Sequence, residues 1–138
     1  MACTSAETTR DNPQRILMGP PGSWGTGTVP DFHILDAKRS RTTSDAVDIL
    51  QVRHASGGVS TVTFKAYEQR REKWQGESLH FVWFDEEPPH EIYSEGLTRT
   101  NATGGFTFIT ATPLLGMTQV VGLFYPEATH ETRALVQM

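Results

Sequence analysis

Cysteine is almost absent from this 138-residue chain, with Cys3 standing alone, and that excludes an intrachain disulfide framework and fits a reducing compartment. Long apolar runs are missing as well. No stretch approaches the roughly 20 residues that a membrane-spanning helix needs, and Met1 to Asn12 has neither the basic start nor the apolar centre of a signal peptide. There is no excess of basic charge either. With a net charge of −4 and a pI near 5.7, the chain carries no global footprint for non-specific nucleic-acid binding, so any DNA contact has to be local or shared with other chains. The five histidines form no zinc signature: His90 lies four residues after Glu86, but no second histidine completes an HExxH pattern. Ser56, Ser60 and Ser94 sit in no nucleophile elbow. Neither an internal repeat nor a low-complexity tract is visible. What remains is the expectation of one soluble intracellular globular unit, large enough at 37% hydrophobic residues for a core but small for a complete motor.

The chain does contain one organising stretch, Leu79-His80-Phe81-Val82-Trp83-Phe84-Asp85-Glu86-Glu87-Pro88-Pro89. Its large apolar residues predict a strand buried on both faces. That strand delivers three consecutive carboxylates at its C-terminal end, the edge where ligands bind in open α/β sheets. An apolar strand ending in Asp-Glu has the form of a Walker B element, in which the Asp holds magnesium, usually through water, and the Glu orients or deprotonates the water that attacks the γ-phosphate. Acidic turns are also an ordinary way to end a strand.

In chain order, Ser5 to Asn12 predicts a short helix that stops at Asn12-Pro13, and Arg15 to Met18 a short strand. Gly19 to Thr28 invites comparison with a phosphate-binding loop but contains no lysine to reach the phosphates. It reads as a turn-rich loop with Trp24 folded against the body. Phe32 to Leu35 predicts a strand, followed by the basic cluster Lys38-Arg39-Ser40-Arg41. Val47–Arg53 and Val59–Lys65, joined by Ala55-Ser56-Gly57-Gly58, predict a β-hairpin. Tyr67 to Trp74 is helix-compatible and is broken by Gln75-Gly76. Pro88-Pro89 opens a helix through Leu97, ended by Asn101 to Gly105. A second buried strand is expected at Phe106 to Ala111, a helix at Met117 to Tyr125 closed by Pro126, and a terminal strand at Ala134 to Met138.

Spacing then adds to composition. A strand ending in Asp85-Glu86, a helix of a few turns and a strand ending in Thr110-Ala111-Thr112 form a right-handed crossover, which sets the two strands side by side and parallel with both C-terminal ends on one edge. The spacing predicts hydroxyls close to carboxylates there. A β-branched strand end is the plainer account of Thr-Ala-Thr.

The blocks Arg71-Glu72-Lys73-Trp74-Gln75-Gly76, Val82 to Pro89, Ile92 to Thr100 and Thr110 to Met117 resemble the large terminase subunit of tailed bacteriophages and prophages, as do Glu7 to Arg15 and Trp24-Gly25-Thr26-Gly27. The resemblance implies an incomplete P-loop NTPase (RecA-like) core of the α/β class, a mostly parallel sheet with flanking helices and a β-hairpin insertion. On that reading residues 1–138 are the middle of the ATPase domain, with Walker A upstream and the nuclease domain downstream. The implied function is a DNA-packaging ATPase in the cytoplasm of the bacterial host, with ATP and Mg2+ as ligands. The implied partners are double-stranded DNA, the small terminase subunit and the portal protein, and a homo-oligomeric ring is implied too. By matching motif, Asp85 would be the magnesium-associated acid, Glu86 the catalytic base, with Glu87 as alternative base, and Thr110, Ala111 and Thr112 the coupling motif. Where relatives carry an arginine that reaches a neighbouring subunit's nucleotide this chain has Gln75, and Arg71 or Lys73 are substitutes alongside the reading of a solvated helix face. Without a P-loop lysine the polypeptide alone is expected to bind ATP very weakly. Two other classes stay open: a metal-dependent nuclease or hydrolase using Asp85, Glu86, Glu87 and His90 or Glu91, and a non-catalytic prophage remnant or interaction module.

Overall fold

The computed structural model describes residues 1–69, 71–113, 116–125 and 133–136. The chain is α/β and divides into two compact units, Met1–Arg70 and Arg71–Met138. Among the described residues no helix is long and apolar enough to cross a membrane.

The first unit opens with the two-residue strand β1 (Ala2–Cys3) and a helical stretch made of α1 (Ala6–Thr9), a π-turn (Arg10–Gln14) and α2 (Arg15–Met18). Ser5 caps it, accepting from the Thr8 N–H while Thr8 returns a bond to the Ser5 N–H. Two expectations are corrected here. Pro13 does not stop the helix, because it sits inside a π-turn, a wider turn that accommodates a residue lacking N–H and crowding the preceding carbonyl. Arg15 to Met18 is therefore helical, since four apolar-rich residues cannot be told from a strand by periodicity. The helix ends at Gly19, whose φ of 92° suits glycine.

The loop after Gly19 is a chain of turns, closed by Ser23 N–H to the Pro20 carbonyl and Gly25 N–H to the Met18 carbonyl. Trp24 packs against the unit's core of Met18, Val47, Leu50 and Phe64. A 3-10 turn at Asp31–His33 displaces the expected strand start, so β2 runs Ile34–Arg39. It pairs antiparallel with β3 (Val47–Arg53), which pairs antiparallel with β4 (Val59–Thr63). The predicted hairpin is thus present as two strands of a three-stranded sheet, turning at Gly57 with φ 87°. Val59 to Lys65 is not one strand: buried Phe64 interrupts it, and β5 (Lys65–Ala66) leaves to pair parallel with β1. Tyr67 to Trp74 is not a continuous helix either. Tyr67 is buried, with its hydroxyl on the Ala2 carbonyl, and Arg70 lies outside the described residues.

The second unit begins with a 3-10 turn, Arg71–Trp74. Strand β6 (Phe81–Asp85), helix α3 (His90–Asn101) and strand β7 (Phe106–Thr110) then form a β-α-β crossover. β6 and β7 are parallel and in register from Phe81 opposite Phe106 to Asp85 opposite Thr110. Pro89 is the N-cap of α3, its carbonyl accepting the Ile92 and Tyr93 N–H groups at 3.0 Å each. α3 covers one face of the strand pair. A Cβ at Gly96 would lie 2.6 Å from the Phe84 ring, so glycine is what lets helix and strand approach this closely. Trp74, Val82, Phe84, Ile92, Tyr93 and Val120 are the buried apolar residues here.

The expectation that both strands are buried on two faces fails. Val82 and Phe84 are buried, but Phe81, Phe106 and Phe108 are 42%, 65% and 49% exposed. Strand side chains alternate between faces, and α3 covers one. The expected helix at Met117 to Tyr125 shrinks to α4 (Gln119–Gly122), capped by Thr118. Pro126 lies outside the described residues. Residues 134–136 are not in a strand, and Gln137 and Met138 are outside the described residues.

Candidate functional site at the ends of two parallel strands

Sequence patterning puts Asp85 at the last position of β6 and Thr110 at the last position of β7, and the parallel register sets them directly opposite. Their side chains emerge on the same sheet face, the one α3 does not cover. The Thr110 hydroxyl donates to Asp85 Oδ1 at 2.9 Å. Hydroxyl and carboxylate are thus adjacent, as the spacing predicts. Trp83 projects on the same face two residues before Asp85, and its indole N–H donates to the Thr110 Oγ1 at 2.7 Å. The backbone joins the same cluster, with Glu86 N–H donating to the Thr110 carbonyl at 2.8 Å.

Glu86 is exposed and has φ 71°. This is the left-handed region, unfavourable for a residue with a Cβ. Strain of this kind persists where surrounding structure imposes it, and it gathers at functional sites. The turn after β6 is clamped on its other side too: the Thr118 hydroxyl donates to a Glu87 carboxylate oxygen while accepting the Val121 N–H as the cap of α4. The three carboxylates therefore do not share one locus. Asp85 meets Thr110, Glu87 meets Thr118, and Glu86 lies on the strained link between them. Among the described residues no group of three or more His, Cys, Asp and Glu could hold a metal ion together. Asp85 nevertheless offers the hard oxygen ligand that magnesium takes, and one carboxylate suffices where waters complete the shell, so the donor chemistry fits such an ion.

Ala111 and Thr112 lie just past the strand and are exposed. Arg71, Lys73 and Gln75 are exposed as well, but Arg71 is already engaged: its Nε bonds Glu95 Oε2 at 2.8 Å, while Arg99, one turn further along α3, bonds Glu95 Oε1 at 2.9 Å through Nε. The Glu95 side chain is 2% exposed. The Arg71 hydrogen bond, assisted by Arg99, holds its carboxyl below the usual range against the opposing effect of burial. In the first unit, the Arg39 guanidinium lies 5.1 Å from the centroid of the Trp24 ring, which ties one charge of the basic cluster to an aromatic face.

Sequence reasoning missed Trp83, Thr118, Glu95 and Arg99. For Glu95 and Arg99 the signal was their i,i+4 spacing on a helix, and for Trp83 its place two residues from Asp85. Nothing local pointed to Thr118, whose partner is 31 residues away.

Residues 3–129 match the family model described as terminase large subunit, T4likevirus-type, N-terminal. The chain is 47% identical over 126 residues to a protein named "Terminase, large subunit" from Salmonella phage P22, a match covering 86% of this chain and 25% of that one. A protein of the same name from Enterobacteria phage LP7 is 34% identical over 64 residues, 46% of this chain and 14% of that one. The chain thus spans about a quarter or less of the curated relatives it matches. No solved structure gives a significant match.

Proposed function

From the premise that the chain belongs to the T4-like-virus-type large terminase subunit family through its N-terminal region, we propose that it is the central part of the ATPase domain of a viral DNA-packaging motor. On this reading it is part of a P-loop NTPase (RecA-like) core that couples ATP hydrolysis to the translocation of double-stranded DNA into a procapsid. It works in the cytoplasm of the bacterial host, in a homo-oligomeric ring with the small terminase subunit and portal protein. The observation that carries the reading is the pairing of Asp85 with Thr110 across the ends of two parallel strands. It joins the acid expected to hold a nucleotide's metal to the segment expected to sense the nucleotide's state.

The roles follow from chemistry. Asp85 is the residue that would hold Mg2+. When bound, Mg·ATP supplies the reacting phosphate and the divalent charge that offsets developing negative charge. The exposed Glu86 carboxylate accepts a proton from the attacking water, a role it shares with bases at the ends of similar apolar strands. Glu87, which accepts from the Thr118 hydroxyl, is the alternative base. Thr110, Ala111 and Thr112 transmit the result, since a change at the Asp85–Thr110 hydrogen bond moves the end of β7. Arg71 pairs with Glu95 within its own unit, so for it to contact a neighbouring subunit it would have to leave that carboxylate; Lys73 and Gln75 are the other candidates.

The test is magnesium-dependent ATP hydrolysis by the full-length protein and by Glu86→Gln in the same background. The expected result is a loss of about 100-fold or more in kcat, the size typical of a removed general base, with nucleotide binding retained. Equal turnover in the two proteins would remove Glu86 as the base. Absence of nucleotide binding in both would overturn the ATPase reading, and nuclease activity lost in Asp85→Ala would replace it with a metal-dependent nuclease.

A further inference from the structure

We propose that Trp83 is a positioning residue for Asp85, acting through the Thr110 hydroxyl. The inference rests on the reading of Asp85 as the metal-associated acid and adds a residue to it. The argument is one of hydrogen-bond direction. An indole N–H can only donate and an ionised carboxylate can only accept, whereas a hydroxyl has one proton and free rotation. The Trp83 Nε1–H donates to the Thr110 Oγ1 at 2.7 Å, and the Thr110 hydroxyl donates to Asp85 Oδ1 at 2.9 Å. With the indole proton directed at the Thr110 oxygen, which accepts it on one of two lone pairs, the hydroxyl's single proton is the one that Asp85 receives. The three groups form a one-way relay along a single sheet face, and Trp83, on a strand in register with β7, is its rigid origin.

The relay has a consequence for the segment 110–112. Thr110 has no second proton, so while the relay is intact its hydroxyl serves Asp85 and cannot also donate to a phosphate oxygen. The exposed Thr112 is then the hydroxyl left to meet nucleotide, and a change at Asp85 reaches β7 through Thr110. Trp83 sets the resting position of that switch.

The chain has three tryptophans, so the indole N–H resonance of Trp83 can be assigned by its loss in Trp83→Phe. Thr110→Val, which removes the hydroxyl at nearly constant volume, is expected to shift that resonance and speed its exchange with solvent by about tenfold, the scale of one lost hydrogen bond. Thr110→Ser is expected to restore both. In the other direction, Trp83→Phe is expected to convert the Thr110 side chain from one rotamer to an average, read by its methyl couplings, and to move the Asp85 carboxyl carbon resonance at constant pH. A Trp83 resonance indifferent to Thr110→Val, or an Asp85 carboxyl resonance indifferent to Trp83→Phe, would overturn the relay. Failure of the underlying reading is separable: full-length Asp85→Ala hydrolysing ATP like the parent would remove Asp85 from magnesium binding while leaving these resonances as they are.

Discussion

Two acidic residues of the second unit are held in opposite ways. Glu95, on α3, is buried and flanked by two guanidinium groups, Arg71 at 2.8 Å and Arg99 at 2.6 Å. Asp85, at the end of β6, is half-buried, and a neutral hydroxyl orients one of its oxygens. A carboxylate between two guanidinium groups is already matched in charge, and removing it leaves both without that partner. One that a hydroxyl orients keeps its charge directed. Two arginines thus tie Glu95 into the unit, and on the proposed reading Asp85 is the acid that would meet an incoming cation.

The sharpest way to break this contrast is to neutralise each acid in turn. Asp85→Asn keeps an oxygen that can accept from Thr110, so stability to urea should stay within about 1 kcal/mol of the parent. If Asp85 holds the metal as proposed, ATP turnover by the full-length protein should fall about 100-fold or more. Glu95→Gln should do the reverse, with a lower unfolding midpoint and a much smaller change in turnover per folded molecule. If both variants lose stability equally and retain activity, the two carboxylates are not functionally distinct.

A smaller effect lies in the acid limb of stability. Glu95→Ala removes two charge-assisted hydrogen bonds from a buried position, but both arginines reach solvent and can be rehydrated, so a loss of about 2 kcal/mol is expected. The pH dependence has a definite sign. Because the folded-state pKa of Glu95 is lowered from 4.5 by Arg71 and Arg99, its contribution is fully present above that unfolded value and is lost as pH falls through the lower folded one. Urea unfolding between pH 6 and 3 should show the gap between parent and Glu95→Ala closing toward the acid end. A constant gap would mean that the arginines do not shift Glu95.

The same contrast shows what could be read in the residues themselves. The crossover was legible because Pro88-Pro89, the Asn101–Gly105 break and two apolar β-rich runs agree at every level, and side-by-side parallel strands were expected from the β-α-β connection. From the two strand ends sharing one edge the nearness of hydroxyl and carboxylate could be foreseen, and the register made it a direct contact. The Arg15 to Met18 helix could not, because the cost of Pro13 is absorbed by a π-turn that leaves no local pattern. Nor could two-sided burial of β6 be judged from composition: Phe81 and Phe106 are as apolar as Phe84, but their rings pack tilted against each other, centroids 4.9 Å apart, on the face that α3 leaves open. Arg71 looks like a solvated or trans-acting cation until a buried glutamate 24 residues later claims it.

The least costly perturbation concerns the strained link between Asp85 and Glu87. Glu86 adopts φ 71° without being glycine, held there by its own N–H on the Thr110 carbonyl and by the Thr118 clamp on the next residue. Glycine adopts that conformation without a Cβ conflict, but it also gives the unfolded chain more freedom. The net expectation for Glu86→Gly is a gain of about 0.5–1 kcal/mol, from relief of strain less the entropy term. Glu86→Ala supplies the control, since it keeps the Cβ and the strain while removing the carboxylate, and should leave stability near the parent's. Urea midpoints ordered glycine above alanine and parent would show that the turn carries strain for the sake of the side chain it presents. Equal midpoints for glycine and alanine would mean that the strain relieved is no larger than the entropy glycine adds to the unfolded chain.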